Sequence, residues 1–157
     1  MIYLIGCTHF GHKNIVKLAN RPFQSIDEMD DVLIQNWNRT VKAKDEVLHL
    51  GDFAVYSKMS PDYYLKKLNG KITTIRGNHD DSLWGKDYHE FNYEKRKVVL
   101  MHYPIHEWNG FFRGAVHFHA HTHSPDFYSG ERRGNVCADA INFTPISLDE
   151  AIARVTS

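Results

Sequence analysis

The chain has 157 residues, 42% hydrophobic and 24% charged, which suits one domain with a sizeable core and excludes a fibre, a disordered segment or a membrane protein. Nineteen Lys+Arg balance nineteen Asp+Glu, so the totals give no broad electropositive surface for a nucleic-acid backbone. Eleven histidines stand against two cysteines, Cys7 and Cys137: too few thiols for a disulfide framework, and an excess of the commonest metal-ligating side chain.

In chain order, residues 2–5 form a short apolar run ended by Gly6, a buried-strand pattern. A helix is expected over residues 13–19. Ser25 and Glu28 make a capping box for a helix to about Thr40, with Ile26, Met29, Leu33 and Trp37 on one face. Residues 47–50 are the next strand. Ser60 and Pro61 read as N-cap and first turn of a helix to about Leu68. Strands are expected at residues 72–75, 88–93, 97–101 and 115–119, with a weaker one at 136–141. Ser147 and Glu150 cap a final helix. Strands and helices mixed in this order predict an α/β domain with helices covering sheet. No basic segment leads into a long apolar one and no run nears the roughly 20 apolar residues of a membrane span, so a single cytoplasmic domain over residues 1–157 is expected.

The polar residues fall in a pattern. Five expected strands are each followed by metal-ligating side chains: Cys7 and His9; Gly51 and Asp52; Gly77, Asn78, His79 and Asp80; His102; His121 and His123. Ligands of open α/β sheets bind beyond the carboxyl ends of strands. A two-metal site needs a carboxylate that can bridge and several neutral or anionic donors. An Asn donor is foreign to structural zinc sites and points to open, catalytic coordination. His49, His117 and His119 lie inside strands and are expected to be structural, His117 and His119 also being candidates to support ligands. Cys137 is expected to be a buried structural thiol, and Arg21, Arg39 and Arg76 surface charges or loop ties.

The ordered blocks Cys7-Thr8-His9, Gly51-Asp52-Phe53, Gly77-Asn78-His79-Asp80, His102-Tyr103-Pro104 and His119-Ala120-His121-Thr122-His123 resemble the calcineurin-like metallophosphoesterase superfamily. Thr8–Asn14 and Trp108-Asn109-Gly110 resemble its small bacterial and phage members. The resemblance implies a four-layer α/β sandwich of two facing mixed sheets flanked by helices. It implies hydrolysis of phosphomonoesters or phosphodiesters with two divalent cations, manganese, zinc, iron or nickel. His9, His123 and position 7 would hold one metal, Asn78, His102 and His121 the other, and Asp52 would bridge. His79 would act as general acid or phosphate contact, with Asp80 orienting its ring.

Two positions depart from the family pattern. Cys7 replaces an aspartate; a thiolate is softer and binds through one atom, which favours zinc or iron over magnesium or manganese. Three readings of Cys7 stand side by side: a thiolate ligand, a weakly held first metal, or a packing residue with water in its place. Ala120 replaces a glycine, for which local adjustment is expected. Asn109, Arg113 and His12 are candidate substrate contacts; against this, residues 108–113 also read as a surface loop anchored by aromatics, and His12 as part of a helix N-terminus. The implied partner is a phosphoester, nucleotides included, with no membrane and no strong nucleic-acid signal. A different class remains: a metal-binding scaffold whose catalysis Cys7 has weakened.

Overall fold

Strand β1 (Ile2–Ile5) buries Leu4 and Ile5 completely and lies inside a sheet rather than at its edge. In this computed structural model, which describes residues 1–81 and 84–157, β1 pairs in parallel with β2 (Glu46–His49) and antiparallel with β9 (Ile146–Ser147). Strand β3 (Lys71–Thr74) adds in parallel to β2, giving the order β3-β2-β1-β9. The second sheet contains β4 (Tyr88–Tyr93), β5 (Arg96–Met101), β6 (Val116–His119), β7 (Tyr128–Gly130) and β8 (Arg133–Asn135), in the order β4-β5-β6-β8-β7. Strands β5, β6 and β8 run parallel, with antiparallel strands at both edges. One apolar cluster joins Leu4, Ile5 and Val47 of the first sheet to Val98, Leu100, Val116 and Phe118 of the second. Helices α1 (Ile15–Leu18), α2 (Ile26–Thr40), α3 (Pro61–Leu65) and α4 (Leu148–Thr156) flank this pair of mixed sheets.

Both capping boxes form. The Ser25 hydroxyl accepts from the Glu28 N–H at 3.1 Å, and the Ser147 hydroxyl from the Glu150 N–H at 3.2 Å. Met29, Leu33 and Trp37 are the buried stripe of α2. No helix among the described residues is long and apolar enough to cross a membrane.

Residues 136–141 depart from the expected strand. Cys137 makes only an isolated bridge to Gly6, and Ala138–Ala140 is a 3-10 turn. The sheet strand of this region is β8, a short polar run of Arg, Gly and Asn with no apolar pattern to announce it, paired across a bulge to β7. The Gly6–Cys137 bridge nonetheless matters, because it fixes the start of the Cys7 loop to the segment that carries Asp139.

Candidate metal centre

Parallel pairing brings the ends of β1, β2 and β3 level: Ile5 faces His49 and His49 faces Thr74. The loops that follow therefore leave the sheet at one end. Backbone bonds lash them together, with Cys7 N–H to Gly51 O at 2.8 Å and His9 N–H to Asp52 O at 3.0 Å. The Asp80 carboxylate is the third lashing. It accepts the N–H groups of Asp52 (2.7 Å), Gly77 (2.7 Å) and Phe53 (3.1 Å). This replaces the role expected for Asp80: its partners are backbone amides of two site loops and not the His79 ring. Burial raises the Asp80 carboxyl above the usual range, the three amide donors opposing the effect.

Close approach of these loops requires glycine. A Cβ on Gly77 would stand 2.3 Å from Asp52 Oδ1 and 2.5 Å from Asp52 N. Ala120, in place of the family's glycine, turns its methyl toward Gly6, where a Cβ would stand 2.5 Å from it. Twelve non-glycine residues among those described have left-handed backbones, and five are Cys7, His9, Asp52, His121 and His123. Such strain costs on the order of 1–3 kcal/mol per residue and persists where the surroundings over-determine it; here five of the expected ligands carry it.

Cys7, His9 and His123 place one donor atom each within 4.8 Å of one another, and so do Cys7, Asp52 and His102. Asp52 Oδ2 lies 3.5 Å from His9 Nε2 and 3.4 Å from His102 Nε2, so one oxygen faces both groups. Asp52 Oδ1 accepts the His79 N–H at 2.9 Å. Burial acts to raise the Asp52 carboxyl, but the His102 and His9 imidazoles and the His79 amide outweigh it and hold the group well below the carboxylate range. His102 Nδ1 meets the Leu50 carbonyl at 2.7 Å, which leaves Nε2 toward the site, 3.0 Å from Asn78 Oδ1. The His121 ring sits 5.1 Å from that of His102, and the backbone N–H of His121 donates to Cys7 Sγ at 3.1 Å.

The donor set fits a metal. His9 Nε2 is buried with no hydrogen-bond partner, a costly arrangement that a cation would relieve. Burial, only partly offset by Asp52, lowers the His9 pKa to about 4, so the ring presents a lone pair at neutral pH. This arrangement supplies sulfur, imidazole, carboxylate and amide donors for a divalent metal.

Sequence reasoning missed the support behind His123. Its Nδ1 donates to Asp139 Oδ1 at 3.0 Å, the carboxylate–histidine pairing that fixes which ring nitrogen faces a metal. Asp139 is gripped at both oxygens by Arg21, Nη2 at 2.9 Å and Nε at 3.1 Å. The same guanidinium donates to Cys7 O at 2.6 Å and Thr8 O at 3.0 Å. Arg21, expected at the surface or as a loop tie, is a loop tie and is 4% exposed. Cys137 Sγ, also buried, donates to Asp139 Oδ1 at 3.1 Å. Asp139 is thereby committed to Arg21 and His123 rather than open to a cation of its own. Burial alone would lower the His123 pKa, but Asp139 and Cys137 raise it to about 9. The spacing signal for this network was absent, since Arg21 and Asp139 lie 118 positions apart.

The remaining expectations divide. His12 enters the site, its Nδ1 2.9 Å from His9 Nδ1. Asn109 does not; its amide is tied to the Glu90 carboxylate at 3.0 Å. Arg113 ends an exposed 3-10 turn (Phe111–Arg113) outside the cleft. Trp108 packs with Val99 and Ala115 in a small separate cluster, so the stretch 108–113 is an aromatic-anchored loop. His117 bonds to Val99 O and Ile105 N, and His119 to Ala120 O and Ser129 Oγ, which makes both structural. His49 is buried against Thr8 Oγ1 at 3.0 Å. Five of the expected ligands (His9, Asp52, Asn78, His121 and His123) and His79 line a cleft of about 350 Å³ that also takes in His12, Asn14, Ile15, Leu18 and Tyr56.

Comparison with known proteins decides the family. The calcineurin-like phosphoesterase superfamily domain matches residues 1–136. The chain belongs to this superfamily. Membership indicates phosphoesterase activity. An uncharacterized protein of Methanocaldococcus jannaschii is 40% identical over 155 residues, covering 94% of this chain and 87% of the relative. A protein of unknown function from Aquifex aeolicus has a similar structure, with TM-score 0.75 and 23% identity over 96% of both chains. Vps29 of Chaetomium thermophilum shares the fold at TM-score 0.53 and 11% identity, over 87% of this chain and 69% of that one.

Proposed function

We propose that this chain hydrolyses phosphoester bonds at a dinuclear metal centre, with phosphomonoesters and phosphodiesters as the substrate class. The observation that carries this reading is the single Asp52 oxygen facing both His9 Nε2 and His102 Nε2, as a bridging ligand must. Cys7, His9 and His123 would hold one cation and Asn78, His102 and His121 the other. The cations, when bound, neutralise charge on the phosphoryl oxygens and make a water nucleophilic near neutral pH.

The chain's own residues do the rest. His102 is kept with Nε2 inward by the Leu50 carbonyl, and His123 likewise by Asp139. Asp80 holds the Asp52 and Asn78 loops in mutual register. As the water oxygen bonds to phosphorus and the ester P–O bond breaks, His79 gives a proton to the departing oxygen. The exposed His79 ring stands at the cleft, 5.9 Å from that of His9. Cys7 is the thiolate ligand in this scheme, which favours zinc or iron, and a chain with two free cysteines suits a reducing compartment such as the cytoplasm.

Elemental analysis of the purified protein tests the reading, followed by assay of p-nitrophenyl and bis-p-nitrophenyl phosphate with Mn, Fe, Ni, Zn and Mg supplied in turn. Metal-dependent turnover of either ester supports it. Tightly bound metal with no turnover would instead support the scaffold reading, which rests on Cys7 in the aspartate position.

A further inference from the structure

We propose that Leu18 and Tyr56 form a subsite for a flat aromatic ring, in biological form a nucleobase, carried on the leaving group of the phosphoester. This inference rests on the phosphoester reading and names the substrate class within it.

Three large hydrophobic side chains among the described residues are more than three-quarters exposed: Leu18 (76%), Tyr56 (81%) and Phe112 (83%). Two of the three line the cleft that holds the expected ligands. Ile15, the buried first residue of the same short helix as Leu18, extends the apolar wall inward. Donors for a bare phosphate lie on the imidazole side of the cleft; an apolar wall adds nothing to phosphate binding and wets poorly.

Tyr56 is also placed with respect to the chemistry. Its ring centroid is 5.8 Å from that of His79 and 5.3 Å from that of His12, both in edge contact. His79, the expected proton donor to the departing oxygen, thus stands between His9 (5.9 Å) and Tyr56. A leaving group that takes its proton from His79 comes within reach of the neighbouring Tyr56 ring. The Tyr56 backbone is left-handed, with φ 47°, a conformation disfavoured for an aromatic residue, and both imidazoles flank the ring it presents. Asn14 borders the same wall, and its side chain makes no capping bond to α1, leaving an amide donor and acceptor suited to the edge of a base. A flat ring laid on Tyr56 uses that face; a base on an aromatic side chain gains about 1–3 kcal/mol, roughly five- to 150-fold in affinity.

Titration calorimetry on the zinc-loaded protein tests this with three probes: inorganic phosphate, ribose 5-phosphate and adenosine 5′-monophosphate. The last two differ only in the base. In the wild type, adenosine 5′-monophosphate is expected to bind about tenfold or more tightly than ribose 5-phosphate. Tyr56→Ala should erase that advantage, Leu18→Ala reduce it, and Tyr56→Phe preserve it, with phosphate affinity unchanged in all three. Tyr56 and Leu18 lie outside the core, so the variants keep the fold, which circular dichroism checks. Equal affinity for the two sugar phosphates in the wild type, or an undiminished base advantage in Tyr56→Ala, overturns the subsite while leaving the phosphoester reading intact. Failure of phosphate and both esters alike to bind the metal-loaded protein overturns both.

Discussion

Neutralising Asp139 is the sharpest test of how the site is supported. In Asp139→Asn the side chain keeps one acceptor oxygen but loses its charge. The Arg21 guanidinium, fully buried at its side chain, then retains the Cys7 and Thr8 carbonyls, the Met29 sulfur and one neutral oxygen. Breaking a buried ion pair costs about 3–5 kcal/mol. The retained acceptors put this case near the lower figure, and about 3 kcal/mol corresponds to a fall of roughly 6–12 °C in Tm for a domain of this size. The fold should survive that loss.

The metal site responds separately. Loss of an outer carboxylate partner typically lowers metal affinity about 10- to 100-fold. At pH 7 a second effect opposes this one. His123 is raised to about 9 by Asp139 and Cys137 against burial, so in the wild type a metal must displace its proton, a competition the variant relieves. The full deficit should therefore emerge only above pH 9. Zinc affinity, measured by chelator competition at pH 7 and pH 9.5, should fall 10- to 100-fold at the higher pH and by less at the lower. The metal-free protein gives the linked result. A histidine raised from 6.5 to about 9 contributes stability that is complete below pH 6.5 and lost as pH rises through 9; Asp139→Asn should flatten that slope. Unaltered zinc affinity at pH 9.5 would refute the claim that Asp139 sets the His123 ring.

Four further outcomes are expected. If Asp52 bridges two cations as proposed, Asp52→Asn should lose both and nearly all turnover; near-full metal-dependent activity would discard the bridging assignment. His79→Ala should cost about 10²–10⁴ in kcat with metal content unchanged, and most of that loss should vanish for a p-nitrophenyl leaving group, which departs without a proton. Cys7→Asp exchanges a soft one-atom donor for a hard carboxylate, so the ratio of manganese- to zinc-supported activity should rise; a constant ratio would remove Cys7 from the ligand set. Asp30, whose pKa burial raises to about 6 despite the Gly11 amide donor, stabilises the fold in its neutral form. Wild-type stability should decline as pH rises from about 4 to 6, and Asp30→Asn should gain roughly 1 kcal/mol at pH 7, discounted for partial exposure, with no gain at pH 4. Urea titration at the two pH values reads this directly.

That residues 7, 9, 52, 78, 102, 121 and 123 would gather beyond strand ends was legible in outline. Short strand-like runs precede each group, and the polar residues just beyond them fall where parallel strands open a cleft. Both capping boxes were equally plain, for they are local devices spanning four residues. The substrate expectations for Asn109 and Arg113 did not survive, because an Arg or Asn between aromatic residues carries no information about which neighbour it will meet. Glu90, on β4, became the partner of Asn109 only once β4 and β5 had paired.

The sequence by itself determined the layered α/β fold and the family of the chain, as well as the order of chemistry-bearing blocks, since all of these are encoded in local periodicity and short motifs. Tertiary structure alone decided that Asp80 would lash loops rather than orient His79, and that Arg21 and Asp139 would brace Cys7 and His123 from behind. It also decided that Leu18 and Tyr56 would line the same cleft as five of the expected ligands. Those relations join residues far apart in the chain, and contacts of that kind exist only after two sheets have packed and their loops have been forced to one end.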